Sequence, residues 1–449
     1  MSLRSVDRTT LCLRLFLAGA VGLSITGLAS SASAATLCVN PGGHNGCSST
    51  IGAAVSAASS GDVIRVWPGV YKEQVIVTKS LSLVALSPHS VIIDATNLAN
   101  GIWVDGMSAA PNPGVANVVI SGFTVRNANF EGVLLTNATN VTLVGNEVTD
   151  NDRSLDSASG SCAGIPDFET DEGADCGEGI HLMGVDHSTI LRNEVAHNSG
   201  GILTSDETGP SGHNLLSENY VHDNVYDCGI TLASHGPAAF TGAKLPYGIW
   251  YNTISRNASV RNGTQAAGAG VGIFAPFPGT TDTGNVVIDN DIRDNGATGV
   301  AMHNHAAPPA APPVNMNDNV IVGNRFSGNG PDNPGAPTPG PTAINILSMG
   351  PLTGTVISQN TFDKEAIDIG FSAPAGQLNV HFNHFSAGIA IDNLGTGDGT
   401  VDATENWWNC PSGPNKAHCA TVNGSGVSYT PWLTRPFEDE ATARLSGVD

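Results

Sequence analysis

The stretch Ser217–His235, SENYVHDNVYDCGITLASH, sets Asn219 five residues ahead of Asn224, then follows them with Gly229 and the alternation Ile230-Thr231-Leu232 before ending on His235. The phrase recurs along the chain. Aligning VGNEV, LRNEV, SENYV, SRNAS, IDNDI, VGNRF, SQNTF, HFNHF and TENWW places Asn146, Asn193, Asn219, Asn257, Asn290, Asn324, Asn360, Asn383 and Asn406 in one column, 23 to 47 residues apart. A second column, five residues on, holds Asn151, Asn198, Asn224, Asn262, Asn295 and Asn329, with Glu365 in the same place once. Short Gly-apolar strands accompany them: GVLL at 132, GIHL at 179, GILT at 201, GITL at 229, GIFA at 272 and GVAM at 299. Three short strands per unit and no helix between them predict a solenoid, because a unit this short cannot close its own core but stacked units can bury a continuous apolar column. The asparagines are expected at tight bends with left-handed backbone, each amide bonding to the next along the stack.

Composition agrees with a turn-rich β protein: 54 glycines and only 13% charged residues in 449. Arg4, Arg8 and Arg14, the apolar run Leu15–Leu28 and Ala32-Ser33-Ala34 read as a secretory signal peptide over residues 1–34. Removing it takes away three arginines and one aspartate, so the formal charge of -22 becomes -22 - 2 = -24. So acidic a surface repels nucleic acid and anionic lipid, which excludes both as expected partners, and no later segment is long and apolar enough for a membrane span. A soluble, secreted or periplasmic monomer is expected. Of the seven remaining cysteines, Cys38/Cys47, Cys162/Cys176 and Cys410/Cys419 are spaced as local disulfide staples, and Cys228 is left as a buried thiol.

The repeat resembles the right-handed parallel β-helix proteins of the pectate-lyase-like superfamily. IGAAVSAASSGDVIRVWPGVYKEQVIVTKSLSLVAL, from Ile51, is similar to that superfamily's N-terminal coil, and ATENWWNCPSGPNKAHCATVNGSGVSYTPWLTRPF, from Ala403, to its closing segment. The resemblance implies an all-β, single-stranded right-handed parallel β-helix solenoid over 35–437, with a short N-terminal capping helix near Ile51–Ala58, Trp407 and Trp408 plugging the far end, and a flexible C-terminal tail over 438–449. It does not fix the chemistry, since the fold carries many activities.

Residues one and three after each strand glycine are expected to enter the core, so those at two and four face outward. The outward row then reads His181, Leu203, Thr231, Phe274 and Ala301, followed by Met183, Ser205, Ala233, Pro276 and His303, with Asp206, Glu207, His235 and His305 at the mouth of the next turn. Long turns at 152–177, 236–247, 264–284, 303–318 and 330–342 crowd the same edge, where a solenoid usually binds its ligand. Glu178, His181, Asp206, Glu207, Asp227, His235, His303 and His305 are the candidate catalytic residues; Glu207, His235 and His305 are also candidate ligands for a divalent metal ion. His187, His197, His213, His222, His381 and His418 read as ordinary turn residues, and the acidic run DFETDEGADCGE as a solvated loop.

By resemblance, polygalacturonases place carboxylates where Glu178 and His181 stand, but their Asn-Thr-Asp and Asp-Asp motifs are missing, as is the Tyr-Gly-x-Asp-Pro-His motif of alginate epimerases. Arg192, Arg256 and Arg293 flank ladder positions and do not suit the arginine base of calcium pectate lyases. Two functions stay open: an exported hydrolase or lyase acting on an extended polysaccharide, and a non-catalytic solenoid for adhesion, binding or metal handling. The acidic field favours a neutral glycan over a polyuronate.

Overall fold

The computed structural model describes residues 34–108, 114–169, 176–237, 241–304, 306, 312–332, 338, 340–394 and 399–437. The signal-peptide reading of 1–34 therefore lies outside the described residues save Ala34, and the tail reading of 438–449 wholly outside them.

Apolar residues at every second position make short strands, and the strands stack in parallel. One sheet joins 28 strands and another 10; among the described residues the single antiparallel pair is the short Leu155–Asp156/Ser161–Cys162 hairpin. The face that carries the candidate residues runs through β1 (Val133–Val144), β2 (Glu178–Asp186), β3 (Gly200–Ser205), β4 (Ile230–Ala233), β5 (Val271–Phe274) and β6 (Val300–Asn304). Register joins Leu134, His181, Leu203, Thr231, Gly272 and Ala301 in one row, and Thr136, Met183, Ser205, Ala233, Phe274 and His303 in the next. The fifth unit is thus read from Gly270 rather than Gly272, which moves Phe274 one row along from its expected place. Ile180, Leu182, Ile230 and Leu232 enter the core and are fully buried.

The asparagine columns bond as ladders. Asn193 donates its amide and its backbone N–H to Asn219 Oδ1 at 3.0 and 2.9 Å, and Asn198 does the same to Asn224 at 3.1 and 3.0 Å. A third ladder, five residues before the first, runs from Ser188 through Asn214, Asn252, Asn285 and Asn319. The left-handed backbone belongs not to the ladder residue but to the one before it: His187, Arg192 and His197 have φ of 51°, 53° and 60°. That bend turns the next side chain inward, and the amide's hydrogen bonds hold it there. The strand glycine follows from the ladder. A Cβ on Gly179 would lie 2.7 Å from Asn198 Nδ2 and 2.3 Å from Val195 Cγ1, and one on Gly229 would lie 2.6 Å from Asn262 Nδ2.

A helix, α1 (Ile51–Ala57), follows the N-cap Thr50, whose hydroxyl accepts from Ala53 N–H, while Glu73 accepts from the Ile51 and Gly52 N–H groups at 2.7 and 2.8 Å. Its Ile51, Ala54 and Val55 join the core. At the other end Phe326, Phe362 and Phe385 stack at 5.4 and 5.7 Å, and Trp408, fully buried, lies against Phe385 and Tyr429. No helix among the described residues is long and apolar enough to cross a membrane.

The three disulfides form as spaced: Cys38 with Cys47, Cys162 with Cys176 and Cys410 with Cys419, at Cα separations of 4.7, 5.2 and 5.4 Å. Cys38 lies on the first strand, Thr36–Val39, and Cys47 directly after the short turn His44–Gly46, so this bond ties the first strand to the segment leading into α1. Cys410 and Cys419 bracket the loop that follows Trp408, and Cys419 N–H donates to Lys416 O at 3.0 Å within it. Cys228 is buried, its thiol pushed up by burial and by the adjacent Asp227.

Candidate active site

Outward-facing side chains on β2 and β3 are not exposed: described residues of the 152–177 segment, in its 152–169 and 176–177 stretches, lie over them. Ile165, Glu169, Cys176 and Gly177 from that segment enclose a cavity with Glu131, Glu178, His181, Leu203, Glu207 and His235. It measures about 20 Å³, room for one water or an ion and not for a sugar ring. The segment is pinned by the Cys162–Cys176 disulfide and by Phe168, which stacks on Trp103 at 5.7 Å. Of the three staples only this one reaches the cavity. Cys38 and Cys47 at the first strand, and Cys410 and Cys419 in the closing segment, take no part in lining it and are structural residues. The acidic run is not simply solvated, since Glu169 and Glu178 line the cavity; its residues 170–175 lie outside the described residues.

His181 is the hub. Its Nδ1 is 2.9 Å from Glu131 Oε1 and 3.8 Å from Glu178 Oε2, and its Nε2 is 2.8 Å from Ser205 Oγ and 3.8 Å from Glu207 Oε2. Glu178 N–H donates to Glu131 Oε2 at 2.7 Å, and the Ser205 hydroxyl donates to Glu207. His235 Nδ1 faces Glu207 Oε1 at 3.6 Å. Burial works to raise the Glu207 pKa, but the His235 and His181 imidazoles and the Ser205 hydroxyl outweigh it and hold the carboxyl far below the ordinary range. Glu207 is thus an ionised carboxylate with almost no solvent contact.

The other expected residues separate. Asp206 is fully buried behind the cavity wall, where it accepts from His235 N–H at 2.6 Å, Gly248 N–H at 2.5 Å and the Ser234 hydroxyl at 3.0 Å. It holds the turn that presents His235. Burial lifts its pKa to about 6 against those bonds. Asp227 stands at the edge: a Cβ on Gly200 would lie 3.0 Å from Glu178 Cγ and 3.4 Å from Asp227 Oδ2, so the glycine occupies the space between the two carboxylates. His303 does not join the group. It lies three strands beyond Ser205, roughly 14 Å at the usual strand spacing, and pairs with Asp332 at 2.9 Å, which in turn accepts from the Asn345 amide at 2.6 Å. His305 lies outside the described residues. Of the expected metal set, Glu207 and His235 meet; the compact donor group of the cavity is Glu131, Glu178 and His181.

Glu131 and Glu169 were not among the expected site residues, and Ser205 stood in the expected outward row without being counted as a candidate. Glu131 carries a readable signal, since it precedes Gly132 as Glu178 precedes Gly179. The expectation that His235 sits on the surface is also corrected: it is 3% exposed.

Residues 96–265, which contain every member of this cluster, match the family described as "Right handed beta helix region". The fold is the right-handed parallel β-helix. No curated protein sequence matches the chain. Among solved structures, an alpha-1,3-glucanase catalytic domain in complex with nigerose aligns at TM-score 0.52 and 11% identity, over 85% of this chain and 66% of its own. A Geobacillus virus protein aligns at 0.50 and 12%, over 76% and 58%, and the A-module of an Azotobacter vinelandii mannuronan C-5 epimerase at 0.48 and 15%, over 78% and 94%. The chain thus spans just under two thirds of the glucanase domain and less of the viral protein. At these identities the likeness is one of β-helix architecture.

Proposed function

We propose that the protein is an exported enzyme that cleaves an extended polysaccharide lying along the outward face of the β-helix, over the cavity of β2 and β3. The observation that carries the reading is the convergence of a buried carboxylate, Glu207, with two imidazoles on that face, beneath an inserted segment. Glycosidic cleavage needs a carboxylate that stabilises positive charge at the sugar or activates water, and a group that passes a proton to the leaving oxygen. Glu207 serves as the first, and His235, 3.6 Å from it, as the second. Glu131, His181 and Ser205 act as positioning residues through their hydrogen bonds to one another and to Glu207.

The cavity is too small for a ring, so the glycan lies across its mouth with one oxygen or one water admitted. Four lining glutamates against two histidines repel uronate carboxylates, which favours a neutral glycan and hydrolysis. The glucanase structure bound to nigerose supports this only by analogy of fold. Cleavage of residues 1–34, three disulfides and one β-helix domain over 35–437 complete the reading of a secreted or periplasmic monomer. A panel of neutral and uronate polysaccharides, assayed for new reducing ends and for absorbance of unsaturated uronates, tests it. Reducing ends from a neutral glycan without absorbance are expected. No product from any member would favour the non-catalytic binding solenoid instead.

A further inference from the structure

We propose that Glu131, Glu178 and His181 form a binding site for one divalent transition-metal ion, Zn²⁺ suiting the donors best. The inference takes from the proposed function only that this cavity is the working site. The three donor atoms lie within 4.8 Å of one another, with His181 Nδ1 2.9 Å from Glu131 Oε1 and 3.8 Å from Glu178 Oε2. A tetrahedral ion with bonds of about 2.1 Å holds its ligands roughly 3.4 Å apart, between those two separations.

The donors are oriented from behind. Glu178 N–H takes Glu131 Oε2 at 2.7 Å, which leaves Oε1 toward the imidazole. On the far edge of the ring, Ser205 gives its proton to Glu207, so it can only accept from His181 and Nε2 carries a hydrogen. Nδ1 is then the nitrogen at which an ion takes the place of a proton, backed by the imidazole-to-hydroxyl-to-carboxylate relay that ligating histidines commonly have.

Charge points the same way. Glu131, Glu178 and Glu207 are 1%, 2% and 2% exposed, and no Lys or Arg is among the described residues lining the cavity. Three carboxylates and two imidazoles converge there, and carboxylate charge gathered away from water favours a cation among them. A divalent cation offsets it, and the 20 Å³ cavity has room for one ion. An imidazole among the donors argues against Ca²⁺ and Mg²⁺, which take oxygen ligands.

The test uses the whole mature protein, stripped with chelator and titrated calorimetrically with ZnCl₂, with metal content measured after dialysis. One Zn²⁺ per chain is expected, with binding weakened at least 100-fold in Glu131→Gln and in His181→Asn, each confirmed folded by circular dichroism. Co²⁺ loading should give the visible absorption of a tetrahedral N/O site. The exposed Asp186–His187–His213 group is the competing binder, so His187→Ala should bind as the parent does. Absence of stoichiometric Zn²⁺, wild-type binding by both cavity variants, loss of binding in His187→Ala, or displacement by equimolar Ca²⁺ would each overturn the site. Zn²⁺ bound without any polysaccharide activity would sink the proposed function and keep the site; activity indifferent to chelator in a protein that binds no Zn²⁺ would do the reverse.

Discussion

Asn290 accepts from the Asn257 backbone N–H and amide at 2.9 and 3.0 Å, and donates to Asn324 Oδ1 and Ile254 O, both at 2.9 Å. Replacing it by Ala strands buried partners on both neighbouring coils, at a typical cost of about 1 to 3 kcal/mol. Urea unfolding of Asn290→Ala and Asn324→Ala should show that loss, with activity per folded molecule unchanged; a wild-type midpoint would contradict the ladder's structural role. These columns could be read from the chain because each is a one-residue requirement repeated at fixed offsets. The ladder through Asn214, Asn252, Asn285 and Asn319 escaped because its first member is Ser188 and its last neighbour Thr355. Glu131 escaped for a different reason: its place before Gly132 is visible, but its bond to Glu178 N–H and to a ring 50 residues away exists only once the coils stack.

At the scale of elements, the strands of this face and their inward or outward alternation follow from period two, whereas the insertion over them does not. Its descent onto the cavity depends on Phe168 finding Trp103 and on the Cys162–Cys176 closure. Spacing alone paired those cysteines as readily as Cys38 with Cys47 and Cys410 with Cys419, but it could not say which of the three bonds borders the site. This is why outward residues expected in solvent, His181 and His235 among them, are 4% and 3% exposed. The closing segment is more legible, since two tryptophans after the last ladder asparagine have few other uses. Trp408 covers the apolar column beyond Phe385. Removing residues 405–437 should leave the end of the stack bare, its strand edges free to pair with other molecules, and the product insoluble. Soluble expression with an unchanged unfolding transition would refute that capping role.

Across the whole molecule, buried acids make stability depend on pH. Burial pushes Asp206 to about 6, while burial and then the Asp294 and Asp363 charges push Glu365 to about 7; Asp282 and Asp368 are raised well above the usual range, again by burial first. Each holds its proton more tightly folded than unfolded, so its contribution is present below about pH 4 and is lost as pH rises through its folded value. Glu207 runs the other way, held low by the His235 and His181 imidazoles, so it contributes above the ordinary carboxylate range and loses that contribution as pH falls below it. The melting temperature should therefore fall between pH 5 and 8. Glu365 accepts from Asn329 through Oε1 while its Oε2 is buried without a hydrogen-bond partner among the described residues, so Glu365→Gln should flatten the fall between about pH 5 and 7; an unaltered slope would contradict this. The central claim is that the cavity of Glu207 and its imidazoles does the chemistry. It is tested most directly by turnover of the best substrate in the polysaccharide panel by wild type and Glu207→Gln, each normalised to folded protein. The account predicts a loss of at least 100-fold in kcat; a Glu207→Gln protein that cleaves at the wild-type rate would contradict it.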